Sequence, residues 1–206
     1  GSCAMLGTAN TMGCMAEAMG MSLPGSAVVP AVYAKRMQIA YETGTAVMGL
    51  VKRGITSRSI ITRESIENAI VLLMAMGGST NAIMHLQAIH KEAGLGALSL
   101  ERFDVFSRKV PQVASVYPAS PYDMVDFYEA GGVQAVMKEL EPVLHCRCIT
   151  VTGESLGRNL EKASYTGRRE VIKTREEPFH RDGGVAVLTG ESGSSGRCGK
   201  AGGNSL

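Results

Sequence analysis

Residues 67–81 read ENAIVLLMAMGGSTN, and this stretch decides the fold. From Ile66 to Met76 it is apolar nearly all round, at a length that suits a helix rather than a strand. A helix apolar on every side must be buried on every side, so it marks the centre of a core. Thr62 stands where an N-cap belongs, and Glu64 and Glu67 fall in the first turns, where the helix dipole favours acids. Gly77-Gly78 then breaks the helix, and Ser79-Thr80-Asn81 opens the next one. Two glycines followed by three small polar residues at a helix start can bring backbone close to a carboxylate or to hydroxyls. The same segment also serves as an ordinary helix–helix turn. It lacks the spacing and the Lys of a nucleotide-binding loop.

Working outward, the periodicity predicts further helices. Thr8 to Met19 carries Met12, Met15, Ala16 and Met19 at helical spacing, with Thr8 or Asn10 as cap and Gly20 as stop. Pro30 to Arg53 reads as a long helix weakened at Gly44 and Gly49. Asn81 to Gly94 and Ser99 to Val110 follow, then a helix pair, Asp123 to Ala130 and Val133 to Leu140. Strand character comes late, at Cys148–Val151 and Val185–Leu188. The expected class is therefore α/β, helix-rich, with a sheet supplied partly from elsewhere to cover the apolar helices.

The 206 residues suit one domain, or one domain and the start of another. Apolar residues make up 45% against 5% aromatic, so the core must be aliphatic with Met as filler. A net charge of +2 from 21 basic and 19 acidic residues gives no electrostatic case for nucleic acid. The longest apolar run falls short of the roughly 18 residues a membrane helix needs. Five irregularly spaced cysteines argue against a disulfide framework and for a reducing compartment, so a cytoplasmic location is expected, or a mitochondrial one in a eukaryote. The abrupt opening Gly1-Ser2-Cys3 and the Gly/Ser-rich residues 190–206 read as cuts through something larger.

Several residues are candidates for chemistry. Cys3 precedes a helix start, whose positive field favours a metal-bound thiolate; a structural thiol fits the same pattern. His145-Cys146-Arg147-Cys148, with Cys198, suggests a small zinc site, although Cys-x-Cys is tight for zinc. Cys14 has no partner in the sequence, His85 and His90 are five apart and share no face well, and His180 stands alone.

Taken in order, these blocks resemble a known family. GSCAMLGTANTM (1–12) followed by EAMGMSLPGS (17–26) resembles the cluster-binding segment of the dihydroxy-acid and phosphogluconate dehydratases, which include aldonate dehydratases for xylonate and arabonate. The match continues through residues 67–89, 104–120, 127–140 and 149–160 and ends near EPFHRDGGVAVLTG (177–190), covering about nine-tenths of the chain. GTANTM and AVYAKRMQIAYETG (31–44) look closer to the sugar-acid branch, and the middle blocks suit both.

The resemblance implies a hydro-lyase that removes water from a 2,3-dihydroxy acid and yields a 2-oxo acid through an enol. It implies an iron–sulfur cluster (2Fe-2S or 4Fe-4S) held by three cysteines, one iron acting as Lewis acid on the leaving hydroxyl, with Mg²⁺ on the carboxylate side. Cys3 corresponds to the third cluster cysteine. Thr8, Ser79, Thr80 and Asn81 correspond to substrate-binding positions. The other two cysteines, the Mg²⁺ ligands and the catalytic serine of a C-terminal β-rich domain correspond to nothing in this chain, and Cys198 does not replace them. Residues 1–178 would then be part of the cluster-binding N-terminal domain and 179–206 the start of the β-rich domain. The chain alone is expected to be inactive, and its parent a homo-oligomer, a dimer or tetramer, acting on a small hydroxy acid. The alternative is an inactive remnant kept as a dimerisation or binding module, with residues 30–53 and 62–76 as its apolar interface.

Overall fold

A computed structural model describes residues 3–163, 167–188 and the backbone of 197–200. In chain order the helices are α1 (Thr8–Ala18), α2 (Lys35–Arg53), α3 (Ser57–Ile60), α4 (Arg63–Met76), α5 (Asn81–Glu92), α6 (Leu100–Ser107), α7 (Met124–Glu129), α8 (Gly132–Glu139) and α9 (Leu156–Glu161). A 3-10 turn at Glu141–Val143 precedes α9, and β1 (Val185–Leu188) pairs antiparallel with β2 (Arg197–Lys200).

The core is built around α4. Thr62 accepts from the Ser65 amide and the Ser65 hydroxyl accepts from the Thr62 amide, a reciprocal cap that satisfies two end donors at once. Beyond the first turn, Ile66 and all residues from Asn68 to Met76 are buried. Helices α1, α5, α6 and α8 surround it, contributing Met15, Leu86, Phe103 and Val136 to one continuous core. The chain's own helices cover α4 on every side, so the expected sheet from elsewhere is not needed to explain its composition. For the same reason α4 cannot present an interface. Each fully buried aliphatic side chain here contributes about 1.5–3 kcal/mol through removal from water.

The segment leading into β1 straps the far end of α4. The Gln112 amide donates to the His180 carbonyl at 2.9 Å, the Gly183 amide to the Ser107 carbonyl at 2.6 Å, and the Gly184 amide to the Met74 carbonyl at 2.8 Å. A Cβ on Gly184 would stand 2.5 Å from the Gly77 Cα, so the strap and the end of α4 touch backbone to backbone.

The helix-rich expectation is borne out, with some corrections. The sheet among the described residues amounts to the β1–β2 hairpin. Cys148–Val151 is not a strand. Ile149 bridges only to Ser155, and the Thr150 amide turns back to the Glu154 carbonyl at 2.9 Å, so its extended residues are consumed in a tight turn. The long helix begins at Lys35 rather than Pro30. Arg36 donates to the Ser26 and Val29 carbonyls, which fixes residues 30–34 as turns. Gly44 and Gly49 do not break it. The helix after Ser99 ends at Ser107, before Val110. Gly7, not Thr8 or Asn10, occupies the N-cap of α1, which leaves both side chains for other work.

Candidate functional site

The loop before α1 is fastened at both of its sides. The Leu6 amide donates to the Tyr117 carbonyl at 2.9 Å and the Met124 amide to the Ala4 carbonyl at 2.9 Å. From within α1, the buried Asn10 amide group donates to the carbonyls of Cys3 and Met5, both at 2.8 Å. The Cys3 Sγ lies 3.3 Å from the Met5 carbonyl and 3.6 Å from the Asn10 nitrogen, and the residue is exposed. In this chain the Cys3 thiol thus lies at the surface.

The Gly77-Gly78 turn docks on the same helix end. Gly77 adopts a left-handed φ of 60°, which closes α4. A Cβ on Gly78 would meet the Thr11 methyl at 2.8 Å and Leu73 at 3.0 Å, so only glycine lets the turn lie against α1. The Ser79 amide then donates to the Thr11 hydroxyl at 3.0 Å. The Thr8 hydroxyl lies 3.1 Å from the Ser79 hydroxyl and accepts from the Asn81 side chain at 2.9 Å. Thr8 and Asn81 are the first residues of α1 and α5, so two helix N-termini meet here. Neither Gly7 nor Thr80, the N-cap residues, caps its helix with a side chain. The first amides of α5 are already engaged, Asn81 on the Ser79 hydroxyl at 3.4 Å, Ala82 on the Ser79 carbonyl and Ile83 on the Thr80 carbonyl. Each N-terminus carries about half a positive charge, a setting that favours an anion.

Of the residues singled out in the sequence, Thr8, Ser79 and Asn81 are thus brought into one hydrogen-bonded cluster. Thr80 is half-buried at the N-cap of α5 and does not cap it with its side chain. Cys3 is tied to the first turn of α1 through Asn10. Asn10 and Thr11, at 1% and 0% exposure, are the members of this arrangement that sequence reasoning did not assign. The periodicity did not announce Asn10, which stands on the opposite side of the helix from the stripe Met12, Met15, Ala16 and Met19.

The other candidates do not assemble. His145 spends its ring on Glu67 at 2.8 Å, and the Cys146 Sγ turns to the Glu141 carbonyl. Burial, then nearby carboxylates, pushes the thiols of Cys146 and Cys148 up, away from the thiolate a metal needs. The Cys198 side chain lies outside the described residues. Among the described residues no group of three or more His, Cys, Asp or Glu is placed to hold a metal. Cys14 is fully buried, and burial, then Glu17, drives its thiol up as well. His90 is buried with its ring on the Gly96 carbonyl at 3.0 Å, and His85 is half-buried on the same helix. His180 is exposed on the strap.

The sequence profile of the dihydroxy-acid/6-phosphogluconate dehydratase N-terminal family matches residues 1–159. The chain belongs to this family. Among curated relatives, the dihydroxy-acid dehydratase of Methanosarcina barkeri is 47% identical over 199 residues, 95% of this chain and 36% of that protein. That of Methanothrix thermoacetophila is 49% identical over 193 residues, 92% of this chain and 35% of the relative. That of Ignicoccus hospitalis is 45% identical over 203 residues, 98% of this chain and 36% of the relative. The chain thus spans about a third of the length of the dehydratases it matches, and homology places it in a hydro-lyase family.

That placement sets a test for an iron–sulfur cluster. A cluster needs several thiolates. The described residues of this dehydratase segment offer one exposed thiol beside the paired helix ends, Cys3. One ligand fits such a group; a whole ligand set does not arise from these residues.

Proposed function

We propose that this chain is the part of a dehydratase that supplies one cluster ligand and the hydroxyl-rich wall of a substrate pocket. The reaction is dehydration of a 2,3-dihydroxy carboxylic acid to a 2-oxo acid. Cys3 is the iron–sulfur ligand, and Thr8, Ser79, Thr80 and Asn81 bind substrate. Mg²⁺ and the proton-abstracting group are held by residues outside this chain. Residues 1–178 form part of the cluster-binding domain, and Phe179 onward begins a β-rich domain, of which β1 is the first strand. Residence in the cytoplasm accords with the free thiols.

The observation that carries this reading is the convergence of two helix N-termini beside an exposed thiol. A substrate carboxylate would find the positive end of α1 there, and its hydroxyls would find Thr8, Ser79 and Asn81. The relatives' names favour a dihydroxy acid of the kind those enzymes dehydrate, while residues 7–12 and 31–44 keep the sugar acids in view.

The test uses a polypeptide of the relatives' full length containing this chain, purified without oxygen. Formation of 2-oxo acid is followed from dihydroxy-isovalerate, xylonate, arabonate and gluconate. Cys3→Ser should lose iron and activity together. Asn81→Ala should keep iron and raise KM at least tenfold. Full iron content and full activity in the Cys3→Ser protein would sink the assignment.

A further inference from the structure

Asn10 makes a contact that holding the Cys3 loop does not require. Its side-chain nitrogen carries two N–H groups. It meets three acceptors: the Cys3 carbonyl and the Met5 carbonyl, both at 2.8 Å, and the Cys3 Sγ at 3.6 Å, an ordinary separation for the larger sulfur atom. One N–H is therefore shared. The Met5 carbonyl is the acceptor that can release it, because the Gly7 amide also donates there at 2.9 Å. Among the described residues no other donor reaches the Cys3 Sγ.

We propose that Asn10 is a positioning residue for the iron ligand, and that its shared N–H turns to the Cys3 sulfur when that sulfur binds iron. The inference rests on the reading of Cys3 as a cluster ligand. As a thiol, Cys3 gives its proton to the Met5 carbonyl at 3.3 Å. An iron-bound sulfur is a thiolate and has no proton to give. The same contact then sets a negative sulfur against a carbonyl oxygen. The shared N–H lies within reach of both atoms. It leaves the oxygen, which keeps the Gly7 amide, and serves the sulfur, which has no other donor. The backbone need not move: the loop stays fastened by the Leu6 amide on the Tyr117 carbonyl and the Met124 amide on the Ala4 carbonyl.

Burial gives the bond its force. Asn10 is 1% exposed, so water does not compete for its N–H groups. A hydrogen bond to a ligand sulfur draws electron density from it, which favours the reduced cluster and raises its potential. Groups that orient a metal ligand from behind also hold the metal: their loss typically costs about 10–100-fold in affinity. A residue that only held the loop would need the two carbonyls and would leave the electronic state of the sulfur unchanged.

The test uses the full-length polypeptide containing this chain, loaded with its cluster and grown with a heavy-nitrogen label in the side-chain amide of asparagine. Pulsed electron paramagnetic resonance of the chemically reduced wild type should show hyperfine coupling to that label. Asn10→Ala and Asn10→Asp both remove the amide. Each should lose the coupling, shift the reduction potential downward, and release iron to a chelator at least about tenfold faster, with unchanged far-ultraviolet circular dichroism. A wild-type cluster without the coupling would overturn the proposal, whether or not the variants fold. So would a folded variant with the wild-type potential and iron-release rate. If Cys3→Ser loses iron in the same experiment, only the role of Asn10 falls. Iron retained by Cys3→Ser would overturn both readings at once.

Discussion

Glu17 shows how one buried residue fixes a neighbourhood. Its carboxylate accepts from the Gly25 amide at 2.8 Å, the Ala27 amide at 2.9 Å and the Gln134 side chain at 2.6 Å. It thereby pins the Pro24-Gly25 turn and α8 to α1. Burial pushes its pKa up from the ordinary 4.5, and the three donors only partly offset that. The native state therefore binds a proton more readily than the unfolded chain does. Stability contributed by Glu17 is complete below about pH 4.5 and declines as pH rises through its raised native value. Urea titrations between pH 4.5 and 7.5 should show stability falling in the wild type and a flatter profile in Glu17→Gln. A wild-type curve that rises across that window would contradict the assignment. Asn10 makes a second residue-scale case. Asn10→Ala removes two buried bonds to the Cys3 loop, costs about 1–3 kcal/mol, and should speed amide exchange at Leu6 while the interior of α1 stays protected. The type of these residues was visible in the sequence, but their partners were not. Tyr117, Gln134 and the Pro24-Gly25 turn are distant in the chain or tied by side chains, and no local pattern announces such pairings.

At the level of elements, glycine does the positioning. Gly78→Ala puts a methyl group against Thr11 and Leu73 and should cost about 1–3 kcal/mol, with the Thr8–Ser79–Asn81 cluster loosened before the core is lost. Gly184→Ala meets backbone rather than a flexible side chain and should cost at least about 3 kcal/mol, measurable as a drop in the midpoint of chemical unfolding. Thr62→Ala breaks the reciprocal cap of α4 and should cost about 1 kcal/mol. The helices were legible because each carries its own periodicity and its own start and stop signals, as Thr62 and Gly77 do for α4. The strand at Cys148–Val151 was misread for a physical reason. β-branched residues report a preference for extended backbone, and a tight turn such as Thr150–Gly153 uses extended backbone without any partner strand. The start of α2 was misread because Pro30 fits a first helical position equally well outside a helix.

The whole molecule is organised concentrically, with α4 at the centre and the site at one end of it. Leu73 is fully buried, so Leu73→Ala should cost about 2–5 kcal/mol and lower the melting temperature more than any substitution on α2. The convergence of residues 3–11 with 78–81 follows from this plan, since α1 lies along α4 and the Gly77 turn returns the chain to the start of α1. Sequence order alone could name both segments. It could not place them in contact, because nothing in residues 3–11 or 78–81 encodes the packing of α1 on α4.

The burial of α4 also has a temporal side. Its covering comes from α1, made before it, and from α5, α6, α8 and the strap at Gly183-Gly184, made after it. At a synthesis rate of about 5–20 residues per second, the roughly 100 residues from Met76 to Gly184 take on the order of 5–20 s to emerge. For that interval the apolar run from Ile66 to Met76 is on the ribosome without its lid. A nascent chain arrested before residue 184 should be a client of hydrophobic-segment chaperones, and one extended past it should be released.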